Sequence, residues 1–190
     1  MTRGPEAERR LATLLVEFEQ RARPIRIVPK RDAKLQLVID TTLRVLTFGG
    51  QSTYLTHYVT TLGHTIYVPE TWPEWPAGRR WEVLRHEAVH VAQFERLGWF
   101  LMTLVYVFLP FPVVLAYGRA RLEWEAYRET LRCTADLEGL EAARDAGLHD
   151  EIVRRFTGPD YAWMWPFERQ VRRWIADEIS AIESDLRAGR

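Results

Sequence analysis

Cysteine is almost absent from this chain of 190 residues, since Cys133 is the only one. A single thiol excludes an internal disulfide and a cysteine-rich zinc site. Net charge is absent too, because 26 basic residues balance 26 acidic ones, and the chain therefore lacks the basic field typical of nucleic-acid-binding proteins. The first thirty residues contain no long apolar segment of the secretory type. We therefore expect a cytoplasmic protein with no nucleic-acid partner.

Long apolar runs are scarce, with an exception at residues 99–117. This segment, WFLMTLVYVFLPFPVVLAY, has no charged side chain and approaches the length of a transmembrane helix. Pro110 cannot continue a regular helix, and Pro112 disfavours helical backbone at the residue before it. We therefore predict an apolar helical hairpin over 99–117 that either belongs to the core or an oligomer contact, or makes a membrane-associated surface.

Two segments on either side of this run carry candidate metal ligands. The first contains His86-Glu87-Ala88-Val89-His90. On a helix, histidines four positions apart lie on one face, where both imidazoles can reach one metal ion. Glu87 lies one position further round, where its carboxylate can take a proton from a water molecule held by that metal. This spacing therefore indicates a metal site with a candidate general base.

The residues around the motif predict the helix that this geometry needs. No glycine or proline occurs from Trp81 to Leu97. A 3.6-residue period predicts an inward face, and Gly98 is a plausible stop, so we predict a helix over 77–97. The predicted inward face consists of Val83, His86, Val89 with His90, Phe94 and Leu97.

The H-E-x-x-H pattern resembles that of zincin metallopeptidases, and the chain is similar to a minimal, gluzincin-like member. In that branch a glutamate from a second helix, within an E-x-x-x-D pattern, is the third ligand. Glu123 begins a similar segment, with Ala126 as its small residue and Tyr127 where aspartate is usual. Glu125 begins an alternative one. The two glutamates lie about 200° apart around a helix, so they cannot both face the metal, and we favour Glu123.

The length of the chain predicts one domain over 1–190, and the resemblance implies that it is a small zincin-like domain with an α+β fold. The resemblance also implies a short, mostly antiparallel sheet with an edge strand next to the H-E-x-x-H helix, for which residues 64–68 are the candidate. Local patterns place an N-terminal helix and link, a sheet region with a hairpin near Leu62-Gly63, a second ligand helix and a C-terminal packing helix. These segments are 1–30, 35–68, 113–136 and 167–188.

The resemblance further implies a zinc-dependent peptidase acting on a peptide or protein substrate. His86, His90 and Glu123 are then the Zn²⁺ ligands, and Glu87 is the catalytic general base. The donor that stabilises the oxyanion stays open among candidates such as Tyr127, Tyr161 and His149. Two alternatives remain, namely a non-catalytic zinc-binding scaffold and a membrane-associated interaction module that uses 99–117.

Overall fold

The computed structural model describes residues 3–30, 59–107, 113–158, 165 and 167–189. Within these ranges the chain is mostly helical and carries a small mixed sheet, which agrees with the α+β class. Two predicted features lie outside the described residues. They are the part of the sheet region before residue 59 and the turn at Pro110–Pro112.

Backbone contacts group the chain into two compact units, Met1–Phe94 and Glu95–Arg190. In the first unit, helix α1 covers Arg3–Gln20, within the segment where a helix was predicted. Its buried side chains recur at three- and four-residue intervals, which is the pattern of an amphipathic helix. They are Ala7, Leu11, Leu14 and Phe18. The single domain expected over 1–190 stays a prediction.

The sheet in the first unit has three strands, β1 (Arg26–Pro29), β2 (Thr60–Leu62) and β3 (Thr65–Val68), in the order β1-β3-β2. β3 pairs with β1 in parallel and with β2 antiparallel. The expected mostly antiparallel sheet is therefore wrong for the described strands, because the predicted link at the end of 1–30 contributes a parallel strand. β3 is also central, so residues 64–68 do not supply the expected edge strand.

The hairpin predicted near Leu62-Gly63 is present, with Gly63 and His64 joining β2 to β3. Gly63 has a φ of 59°, which a glycine adopts without the steric cost of a side chain. A turn of two residues between antiparallel strands needs such a conformation. The local sequence therefore carries enough information to fix this connection.

Helix α2 covers Ala77–Val107 and follows a short 3₁₀ turn at Trp72–Glu74. Its geometry breaks at Gly98, where φ is 75° and ψ is 167°. Sequence analysis predicted a helix end there, and the structure instead has a kink after which the helix resumes. The resumption agrees with the apolar helix predicted to begin at residue 99.

The buried face of α2 differs from the predicted one. Its buried residues include Trp81, Leu84 and Val91, together with the polar Glu87, His90 and Gln93. Of the predicted inward residues only His90 is buried, and Val83, His86, Val89, Phe94 and Leu97 are partly exposed. Successive side chains on a helix are about 100° apart. The predicted face was displaced by about one position, and therefore by about that angle.

In the second unit, α3 (Val113–Glu138) is followed by α4 (Leu140–Ala143), α5 (Ala146–Thr157) and α6 (Glu168–Arg187). α3 contacts α4 and α6, and α5 contacts α6. Gly139, with a φ of 94°, separates α3 from α4, and Gly147 lies inside α5. The core of this unit is aromatic and aliphatic, and it includes Trp124, Leu131, Phe156, Trp165, Val171 and Ile175.

An ion pair joins residues on either side of the uncharged run. Arg96 on α2 donates to the carboxylate of Glu125 on α3, at 3.0 Å from Nη2 to Oε2. Arg96 and Glu125 therefore lie side by side although 29 positions separate them, and the hairpin over 99–117 stays a prediction. Among the helices in the described part of the chain, none has the length and apolar character needed to span a bilayer.

Candidate metal centre

His86 and His90 lie one above the other on α2. Their ring centroids are 5.1 Å apart and the rings are inclined at 73°. His90 is buried and His86 is partly exposed. Because four residues make about one helical turn, the local helix is sufficient to bring these imidazoles together.

Glu87 lies on the buried face of the same helix. The hydroxyl of Thr61 on β2 donates a hydrogen bond to Glu87, at 2.7 Å from Oγ1 to Oε2. The strand that reaches this carboxylate is therefore β2, which lies at an edge among the described strands. This hydrogen bond to one oxygen limits rotation of the Glu87 carboxylate. A general base needs such a fixed orientation.

Glu123 lies on α3 and is 3% exposed. Its neighbours Leu122, Trp124 and Ala126 are buried as well. One potential ligand atom from each of Glu123, His86 and His90 lies within 4.8 Å of the other two. The three residues that the motifs single out as ligands therefore form one group.

This group suits zinc in its chemistry and its spacing. Two imidazole nitrogens and one carboxylate oxygen are a standard set for a catalytic zinc site, in which the fourth position is left for water. Zinc–ligand distances of about 2.0–2.2 Å place tetrahedral ligands about 3.4 Å apart. The ligand atoms of this group lie within 4.8 Å of one another, an upper bound that includes this spacing.

Three other candidate residues have contacts that the structure describes. Glu125 pairs with Arg96 and is not part of the group. The Tyr127 ring packs on Phe156, with ring centroids 5.5 Å apart. The Nε2 atom of His149 lies 2.8 Å from the Ala143 carbonyl oxygen. Tyr161, the third candidate for the oxyanion donor, lies outside the described residues.

Comparisons with known proteins found no match. A scan of protein-family models, a search of curated proteins and a search of solved structures each returned nothing similar to this chain. The resemblance to zincins therefore depends on the motif and on the geometry of the three-residue group.

Two polar residues beside the site were missed by the sequence analysis. Thr61 contacts Glu87 from the sheet, and no local pattern predicts a contact across 26 residues. Gln93 was detectable in principle, because it follows His90 by three positions and residues at this spacing are neighbours on a helix. Its Oε1 atom lies 2.9 Å from His90 Nδ1.

Proposed function

We propose that the protein is a zinc-dependent metallopeptidase that hydrolyses a peptide bond. The observation that carries the proposal is the convergence of His86, His90 and Glu123, with ligand atoms within 4.8 Å of one another. A buried carboxylate with two imidazoles gives the donor set of a catalytic zinc site. Glu87, next to one of the ligands, supplies the carboxylate that hydrolysis needs.

In the proposed reaction each residue has a separate task. Bound zinc would supply Lewis acidity, which lowers the pKa of water toward about 7 and polarises the scissile carbonyl. Glu87 takes the proton from the attacking water as the new C–O bond forms. It then donates that proton to the amine nitrogen as the C–N bond breaks. Thr61 holds Oε2 of Glu87 at 2.7 Å and so orients the carboxylate.

The test of this mechanism is Glu87→Gln. Glu95→Gln, which changes an exposed carboxylate on the same helix, is the control. We expect Glu87→Gln to lower cleavage of a dye-labelled unfolded protein by about 100- to 10,000-fold, since general-base catalysis contributes that much. Zinc content should not change. Full activity in Glu87→Gln would remove this residue from the role of base.

A non-catalytic zinc scaffold is the first alternative, and inhibitor binding separates it from an enzyme. A hydroxamate needs an open coordination position, which a catalytic zinc site has and a closed structural site lacks. We expect acetohydroxamate to bind zinc-loaded protein and to leave metal-free protein unchanged, as measured by calorimetry. Zinc-loaded protein that does not bind acetohydroxamate would favour the scaffold.

A contact with a membrane surface is the second proposal for this molecule. It is supported by Trp99 and Phe100, which are 59% and 83% exposed at the start of the uncharged run. Adjacent exposed aromatic side chains are typical of surfaces that enter the lipid interface. Sedimentation with phosphatidylcholine vesicles tests it. We expect binding by the wild type and by the control Phe167→Ser, and loss of binding in Phe100→Ser. Equal sedimentation of all three proteins would contradict the proposal.

A further inference from the structure

Gln93 is a buried amide on the helix that carries the histidines. It is 2% exposed, and its Oε1 atom lies 2.9 Å from Nδ1 of His90. Burying an amide is costly unless it is hydrogen-bonded. The contact with His90 therefore satisfies the hydrogen-bonding need of a buried amide.

The direction of this hydrogen bond determines which nitrogen of His90 can bind a metal. An amide oxygen only accepts, so the proton of the neutral imidazole must be on Nδ1. The lone pair is then on Nε2, the other ring nitrogen. A reversed amide would donate to Nδ1 and put the proton on Nε2, which would block ligation through that atom.

We infer that Gln93 is a positioning residue that holds His90 in the tautomer with its metal-binding lone pair on Nε2. This inference rests on the proposed metal site. Hydrogen bonds from the second nitrogen of a ligand histidine commonly fix its tautomer and its orientation. In this chain the acceptor comes from the same helix, three residues beyond the ligand.

The acceptor is also neutral, which has a consequence for the charge of the site. Glu123 supplies one negative charge to the three-residue group, and the Gln93 amide adds none. Gln93→Glu would keep an acceptor at the same distance and add a second negative charge beside a divalent cation. We therefore expect that variant to retain zinc binding, and Gln93→Met, which removes the acceptor at similar size, to weaken it.

The experiment measures zinc affinity by chelator competition and the His90 tautomer by nitrogen-15 NMR of the metal-free protein above the histidine pKa. We expect Gln93→Met to bind zinc about 10- to 100-fold more weakly, which is the usual effect of losing such a partner. Gln93→Glu should stay within a few-fold of wild type. His90 should carry its proton on Nδ1 in wild type and should shift toward Nε2–H in Gln93→Met.

Gln170→Met is the matched control. Gln170 lies on α6 and accepts a hydrogen bond from the Trp165 ring nitrogen at 2.9 Å. This variant should change the unfolding temperature without changing zinc affinity. Unchanged zinc affinity in Gln93→Met, or a wild-type His90 protonated on Nε2, would overturn the role of Gln93. If Gln93→Met fails to fold, the wild-type tautomer decides the matter. Wild-type protein that binds no zinc would instead overturn the proposed metal site.

Discussion

Of the three buried carboxylates in the described chain, Glu123 and Glu178 have different surroundings. Glu178 on α6 is 4% exposed and Glu123 on α3 is 3% exposed. Glu178 accepts hydrogen bonds from Arg128 Nε at 2.5 Å and from Arg132 Nε at 2.6 Å. Glu123 lies in a group with two imidazoles, His86 and His90. Two guanidinium groups therefore hold the Glu178 carboxylate, whereas the Glu123 carboxylate lies near two imidazoles that can bind a metal.

The difference separates a structural role from a binding role. A buried carboxylate is stable when it is paired or when it coordinates a metal. Two guanidinium groups from the chain neutralise Glu178, and this network stabilises the contact between α3 and α6. Glu123 and the two imidazoles form a three-donor cluster that a divalent cation can complete. Burial by itself does not distinguish the two roles, whereas the chemistry of the neighbours does.

Another carboxylate on α3, that of Glu125, shows how far a step of two positions turns a side chain around the helix axis. Glu125 lies about 200° round α3 from Glu123, and its side chain is 34% exposed while it pairs with Arg96. Exposed ion pairs contribute little to stability, about 0–1 kcal/mol. Glu125 is therefore the natural control for both buried residues.

Removing an imidazole should have the largest effect on the donor cluster. We expect His90→Ala to lower zinc affinity by more than about 100-fold, because a ligand and its orientation are lost together. Elemental analysis of purified protein measures the zinc content. His149→Ala is the control, since that ring bonds the Ala143 carbonyl on α4. Equal zinc content in His90→Ala and wild type would contradict the assignment of His90 as a metal ligand.

Changing the charged cluster should affect folding and not the metal. Glu178→Gln removes the charge from two charge-assisted hydrogen bonds, and we expect a loss of about 1–3 kcal/mol in the free energy of unfolding. The partly exposed arginines keep this figure moderate, because solvent screens them. Urea unfolding with and without zinc measures it. A loss of zinc affinity in Glu178→Gln would show that the two clusters are not separate.

The exposed pair should give the smallest effect. Glu125→Ala should lower the free energy of unfolding by less than about 1 kcal/mol, and the difference should shrink at high salt. The same urea titration at two salt concentrations provides the measurement. A loss as large as that in Glu178→Gln would mean that Glu125 is more strongly coupled to the fold than its exposure indicates.

Features that depend on short stretches of sequence were predictable. The spacing of His86 and His90 places both rings on one face, and Gly63 and Gly98 mark a turn and a helix break because each has a positive φ. The helices predicted over 113–136 and 167–188 are also present, as α3 and α6. In each case the information lies within a few residues of the feature that it predicts.

Features that depend on contacts distant in sequence were not predictable. β1 pairs in parallel with β3, which lies almost forty residues later. The sequence of β1 itself shows no strand pattern, so this pairing could not be predicted locally. The buried face of α2 includes Glu87 and Gln93, which hydrophobic periodicity assigns to solvent. Glu123 and Glu125 are chemically identical, so their different burial depends on how α3 packs.

The most direct test of the account is the zinc content of three proteins purified in parallel: wild type, Glu123→Ala and Glu125→Ala. The account predicts about one zinc ion per chain in wild type and in Glu125→Ala, and a near-complete loss in Glu123→Ala. Equal zinc content in all three proteins would contradict it, as would loss in Glu125→Ala with retention in Glu123→Ala.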